Sequence, residues 1–240
     1  MNEPTGAPGV QPRRFADRVA LETALAERLG RALTSPGGNG AAVMLSGGHT
    51  PLPAYRALAE RRPRPAPGVT LFYSDDRYVP SSSDASNYHQ TQPLLDALAL
   101  PGEQVLRVRT ELPLAEAAAD YDRRLTELAA RPMRFTLGLL GLGEDGHTAS
   151  LFASQDLARA HGHRAIPVHR PDGRDAVSVT PEVLGWIAEL VFVVTGAEKR
   201  PALEALLQGS PALTAAQAIR GRRVFEVWAD SAAWPLKPGG

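Results

Sequence analysis

The chain has 240 residues, 43% hydrophobic and 22% charged, the make-up of an ordinary soluble globular protein long enough to bury a sizeable core. Its 26 basic and 26 acidic side chains cancel, so there is no electrostatic footprint for nucleic acid or an anionic membrane, and an anionic ligand has to be captured by a local cluster. The absence of cysteine excludes disulfides, thiolate metal sites and a cysteine nucleophile, and fits a cytoplasmic location.

The first fourteen residues, MNEPTGAPGVQPRR, are polar and broken by Pro and Gly, with no apolar core for a secretory signal; they read as a flexible tail ahead of a single domain over 15–240. Apolar residues at near-helical spacing (Phe15, Val19, Leu25, Leu29, Leu33) predict a helix over 15–33, stopped by SPGGNG. A short apolar strand over 41–45 runs into SGGHTP, and 51–60 reads as a helix with its prolines in the first turn. The next strand, 69–73, empties into the polar cluster SDDRYVPSSSDASN before a helical stretch over 90–98. A short strand over 105–108, an Ala-rich amphipathic helix over 114–130 and an almost wholly apolar strand over 135–140 follow. Further strands are expected over 165–168, 176–179, 190–194 and 223–227.

Strands alternating with helices predict an α/β fold, a single doubly wound, largely parallel sheet with helices on both faces. In such a sheet a ligand lies outside the carboxyl ends of the strands. Four loops occupy such ends.

In the first, Ser46-Gly47-Gly48-His49-Thr50, glycines and a helix N-terminus expose amides and partial positive charge, which suits phosphate; a plain strand-to-helix turn uses the same residues. It is neither a Walker A sequence nor GxGxxG. In the second, Asp75-Asp76-Arg77, the guanidinium can grip an oxyanion while Asp75 or Asp76 positions it or a sugar hydroxyl; the alternative is a surface ion pair and a helix cap. The third, Gly143-Glu144-Asp145-Gly146-His147-Thr148, follows the buried strand. An imidazole can accept a proton from water at neutral pH, and a carboxylate on its other nitrogen fixes the tautomer and supports the imidazolium. Asp145 and His147 are two apart and need an irregular, Gly-rich loop to meet; a capping Asp and a solvated His is the plain alternative. In the fourth, Thr195-Gly196-Ala197-Glu198-Lys199, the cation opposes a helix dipole, a placement an anionic ligand would account for. Lys199 is one of two lysines, the other, Lys237, lying near the C-terminus.

No metal site is expected: His89, His161, His163 and His169 show no HExxH spacing. Ser46 and Ser150 lack the GxSxG elbow of an esterase.

Together, LSGGHTP, FYSDDRYVP with Ser86-Asn87, LGLGEDGHTASLF and VTGAEK resemble the successive signatures of 6-phosphogluconolactonase within the glucosamine-6-phosphate isomerase/6-phosphogluconolactonase superfamily, in matching order over roughly residues 15 to 235. The resemblance implies a cytosolic, cofactor-free and metal-independent hydrolase. It would open 6-phospho-D-glucono-1,5-lactone in the oxidative pentose phosphate pathway, with a small-molecule phosphorylated sugar lactone as partner and no obligate protein partner. By the same analogy His147 is the general base and Asp145 its orienting partner. Gly47, Gly48, His49, Thr50 and Lys199 would hold the phosphate, and Arg77 would steady the substrate or the oxyanion. The sequence does not separate Arg77, Arg164 and Arg174 as the phosphate arginine. His49, Asp76 and Ala153 depart from the usual pattern, where Ser, Glu and Pro are common. The sister activity, glucosamine-6-phosphate deaminase/isomerase, is expected to need a carboxylate shortly after the Asp-x-His; residues 148–155 contain none. A non-catalytic sugar-phosphate sensor is the other alternative, and would have no need of the Asp-His pair.

Overall fold

The runs AAVML and VTLFY have no polar face, and in the computed structural model all ten of their residues are buried, as strands covered on both sides require. The structure describes residues 9–35 and 40–235, so Lys237 lies outside the described residues. The strands are β1 (Gly9–Arg14), β2 (Ala41–Leu45), β3 (Val69–Tyr73), β4 (Asp75–Arg77), β5 (Val105–Leu106), β6 (Arg134–Leu140), β7 (Ala165–His169), β8 (Asp175–Val179), β9 (Glu189–Val194) and β10 (Val224–Ala229). Seven of them form one parallel sheet in the order β1-β10-β9-β6-β2-β3-β5.

Successive side chains of these strands point to opposite faces and build two cores. Val43, Leu45, Leu71 and Leu139 meet Leu21, Leu25, Leu29 and Leu33 of the helix Arg18–Thr34, whose 3–4 residue spacing puts them on one side. Met44, Phe72, Leu140 and Phe192 pack on the other face against Tyr121 and Leu125 of helix Leu114–Ala129 and Leu203 of helix Arg200–Leu207. The first helix starts three residues later than its apolar pattern suggests, because Asp17 accepts from the Ala20 amide at 2.8 Å and caps it there.

Two features differ from the sequence expectation. Gly9–Arg14 is an edge strand paired in parallel with β10, not part of a tail; only one side of it is bonded and five of its six residues are exposed, so it carries no apolar signal. Residues 1–8, the rest of the expected tail, lie outside the described residues. The strands around 165–169 and 175–179 do not join the main sheet: with Asp75–Arg77 they form a second, antiparallel sheet in the order β4-β8-β7. A bond of 2.8 Å from the Val179 amide to the Ser74 carbonyl ties that sheet to the end of β3.

The chain order places the reversal of winding between β2 and β6, since β3 and β5 extend one way from β2 while β6, β9 and β10 extend the other. Two buried tyrosines hold the backbone just short of this opening. The Tyr55 hydroxyl donates to the Ser46 carbonyl (3.0 Å) and accepts from the Ser46 amide (3.2 Å). Tyr121 does the same for Tyr73, at 2.7 and 2.9 Å. Buried polar backbone at two strand ends is thereby satisfied, and the loops that follow start from fixed points.

Candidate active site

The four loops read from the sequence leave β2, β3, β6 and β9 at their carboxyl ends and enclose one cleft of about 470 Å³. Of the predicted residues, Gly47, Gly48, His49, Thr50, Asp75, Arg77, His147 and Lys199 line it.

The loop after β2 carries the amides. Among the described residues, the backbone N–H groups of Gly47, Gly48, His49 and Thr50 have no acceptor, directly ahead of helix Leu52–Glu60. Gly48 has φ +98°, which a side chain disfavours. At Gly47 a Cβ would overlap the Asn87 carboxamide, which itself donates to the Asp75 carbonyl at 2.8 Å. His49 is exposed, and its carbonyl accepts from Arg18 at 2.9 Å. The hydroxyls of Thr50 and Thr195 lie 3.0 Å apart and join this loop to the one bearing Lys199.

The loop after β6 is closed by bonds from the Gly143 amide to the His147 carbonyl (2.9 Å) and from Thr148 Oγ1 to the Gly141 carbonyl (2.9 Å). Within it, Asp145 Oδ1 lies 2.5 Å from His147 Nδ1 and also accepts from the His147 amide at 3.2 Å. A carboxylate only accepts, so Nδ1 carries the hydrogen and Nε2 is the nitrogen left for other work. Burial pushes the Asp145 carboxyl up, but the hydrogen bond and charge of His147 outweigh it and hold the group below the usual carboxylate range. Asp145 stands behind His147 and is not in the cleft wall. The imidazole packs on Phe152, ring centroids 4.2 Å apart.

The pair Asp75-Asp76 divides its work. Asp75 faces the cleft and accepts from Ser74 Oγ (2.7 Å) and Ser150 Oγ (2.7 Å). Asp76 is buried and accepts from the Ser86 hydroxyl (3.0 Å) and the amides of Asn87 (2.7 Å) and Tyr88 (3.2 Å), capping helix Asn87–Gln90. Burial pushes its carboxyl up to about 6, against those hydrogen bonds and with the nearby charge of Asp75. A carboxyl whose folded value is raised costs stability when ionised, and the cost is relieved as pH falls through that value. Relative to Asp76→Asn, the wild type is therefore expected to gain about 1–3 kcal/mol in urea unfolding between about pH 7 and pH 4.5, and an unchanged difference would contradict the assignment.

Arg77 lines the cleft, donates to the Ala85 carbonyl at 3.0 Å and has its Nε buried without an acceptor among the described residues. Lys199 sits 3.5 Å from Glu144 across the mouth. Arg174 is a correction: it is 54% exposed, bound to Asp172 at 2.7 Å, and absent from the cleft wall. Arg164 pairs with Glu182 at 3.2 Å and is likewise elsewhere. The arginine that enters is Arg170, 13% exposed, from the turn between β7 and β8, with Arg18 at the rim. Sequence reasoning missed both, and also Asp230, which follows β10 and accepts from the amides of Gly196 (3.2 Å) and Ala233 (2.8 Å). An acid directly after an apolar strand, as at Asp75, was the available signal for Asp230.

The first acid after the Asp-x-His, Asp156, is turned away: it accepts from the amides of Phe152 and Ala153, both at 3.0 Å, and caps helix Ser154–Arg159. Among the described residues no group of three or more His, Asp or Glu is arranged to hold a metal ion, and no helix is long and apolar enough to cross a membrane.

Residues 16–228 match the family model described as glucosamine-6-phosphate isomerases/6-phosphogluconolactonase. The chain belongs to this family. Within the glucosamine-6-phosphate isomerase/6-phosphogluconolactonase family, it is 35% identical to the 6-phosphogluconolactonase of Thermotoga maritima over 173 residues, 70% of this chain and 76% of that one. The crystal structure of a 6-phosphogluconolactonase from Thermotoga maritima superposes with a TM-score of 0.77 at 27% identity, over 93% of this chain and all (100%) of the other. A monomeric glucosamine-6-phosphate deaminase superposes equally well, at 0.77, but at 17% identity, a likeness of fold alone; it covers 93% of this chain and 98% of that one.

Proposed function

We propose that this protein is an enzyme that hydrolyses 6-phospho-D-glucono-1,5-lactone to 6-phosphogluconate, within one α/β unit and without a metal. The observation that carries the reading is the Asp145–His147 pair, with Nδ1 occupied and Nε2 free, on the loop that faces unpaired amides and Lys199 across the same cleft. Kinship to 6-phosphogluconolactonases supports the substrate class.

His147 Nε2 takes a proton from water as the water oxygen attacks the lactone carbonyl carbon. Charge develops on the carbonyl oxygen, where the Arg77 guanidinium supplies donors. The tetrahedral intermediate collapses with cleavage of the bond from the carbonyl carbon to the ring oxygen. That oxygen leaves with the proton from the imidazolium, and the new carboxylic acid ionises in water. The Gly47–Thr50 amides, Lys199 and Arg170 hold the phosphate, while Asp75 accepts from a ring hydroxyl. This division of labour uses a cation-and-amide cradle for the dianion and keeps the base at the other end.

Of the acids around His147 in sequence, Asp145 is held by the imidazole, Glu144 pairs with Lys199, and Asp156, the first acid after the pair, caps a helix end, which favours hydrolysis over amino-sugar isomerisation. The deciding experiment compares lactone hydrolysis, above the spontaneous rate, with ammonia release from glucosamine 6-phosphate in the purified protein. Hydrolysis without ammonia is expected. Ammonia release without hydrolysis would overturn the reading, and inactivity toward both with sugar-phosphate binding would point to a sensor.

A further inference from the structure

Ser150 is fully buried beside the cleft, three residues beyond His147, and its hydroxyl stands between two groups of opposite charge. It donates to Asp75 Oδ2 at 2.7 Å and accepts from Arg170 Nη1 at 3.3 Å. Three segments distant in sequence thus meet on one oxygen: the junction of β3 and β4, the His147 loop and the turn between β7 and β8. The Ser150 amide is itself anchored to Ser178 Oγ of β8 at 3.2 Å.

Arg170 needs such a tether. Its other side-chain polar partner is Asp172, two residues along the same turn at 3.2 Å and shared with Arg174, so that pair restrains the guanidinium within its own turn only. Among the described residues, Ser150 is the one side-chain hydrogen-bond partner of Arg170 outside that turn. The guanidinium also lies over the Phe152 ring, 5.1 Å from its centroid, and the same ring packs against the His147 imidazole. A flexible arginine is thereby set at a fixed place relative to the base.

We infer that Ser150 is a positioning residue that locks the hydroxyl acceptor Asp75 and the anion donor Arg170 into one rigid spacing, and so selects lactones carrying both ring hydroxyls and a distal anion. A hydroxyl suits this place because one O–H serves the carboxylate while its lone pairs serve the guanidinium; alanine offers neither and cysteine only a weak bond. Pre-fixing a long side chain also removes the ordering cost otherwise met on binding.

The inference rests on the lactonase reading for its kinetic readout. In Ser150→Ala, KM for the phosphorylated lactone is expected to rise about 5- to 20-fold while kcat changes less than about threefold, because the base is untouched. Preference for the phosphorylated lactone over glucono-1,5-lactone should fall by a similar factor. The decisive arm is a double-mutant cycle with Arg170→Gln: because Ser150 acts in part through Arg170, the KM effect of Ser150→Ala is expected to shrink by at least about half in that background, leaving only the part that runs through Asp75. Ser150→Cys conserves the shape of the side chain and is expected to shift KM in the same direction should the alanine variant fold poorly. Additive effects in the cycle, or a fall in kcat with unchanged KM, would overturn the inference. If the wild type does not hydrolyse the lactone, the functional reading fails separately. The same cycle is then read by calorimetry with 6-phosphogluconate as probe, where unchanged binding in Ser150→Ala overturns the inference and coupled weakening upholds it.

Discussion

Replacing His147 by alanine is expected to lower kcat for the phosphorylated lactone by about 10²- to 10⁴-fold, the range general-base assistance supplies. Binding of 6-phosphogluconate, followed by calorimetry, should change less than about threefold, because the amides of residues 47–50, Lys199 and Arg170 lie on other loops. The separation matters because His147 is 26% exposed and could in principle serve only as one more donor to the anion. A donor lost from the ground state would raise KM and spare kcat; a base lost from the transition state does the opposite. Rates need correction for spontaneous hydrolysis, which sets the floor for the variant. Turnover at wild-type level in His147→Ala would remove the imidazole from the mechanism and leave the cleft as a binding site alone.

The positions of the four loops were legible because a strand buried on both faces cannot tolerate polar residues, so the change from LGLL to GLGEDGH marks the sheet boundary to within a residue or two. The pairing of Asp145 with His147 was legible for a related reason: glycines at 143 and 146 permit a turn tight enough for residues two apart to meet. It was not legible that Arg170, which was not among the candidates Arg77, Arg164 and Arg174, enters the cleft while Arg174 does not. Both flank the same turn, and the Arg170 amide bonds to the Arg174 carbonyl at 2.8 Å, so local pattern treats them alike. Arg170 is the one that reaches Ser150 and Phe152, contacts made once β8 pairs with β4, and antiparallel pairing between segments about 100 residues apart leaves no periodic trace. The strand Gly9–Arg14 was hidden differently. Its hydrogen bonds are made by backbone to β10, while its exposed side chains, with Pro12 among them, look like those of a tail.

Gly143→Ala is expected to lower kcat by about 10²-fold with little loss of stability, the cost of displacing a catalytic group by roughly 1 Å. Gly143 is not held at positive φ, unlike Gly146 at +80°, so alanine meets no backbone penalty there. What it meets is the catalytic pair itself: a Cβ at 143 would overlap His147 Nδ1 and Asp145 Oδ1. Either the imidazole swings off Asp145 or the carboxylate leaves Nδ1. In both cases the tautomer that frees Nε2 is no longer enforced, while the cradle for the phosphate is unchanged. Thermal unfolding with a midpoint near that of wild type, a preserved Kd for 6-phosphogluconate and a collapsed kcat would together identify the short Asp145–His147 contact as the element that sets the rate. A kcat within about twofold of wild type would show that the pair can re-form around a methyl group, and that its exact geometry is not what the reaction needs.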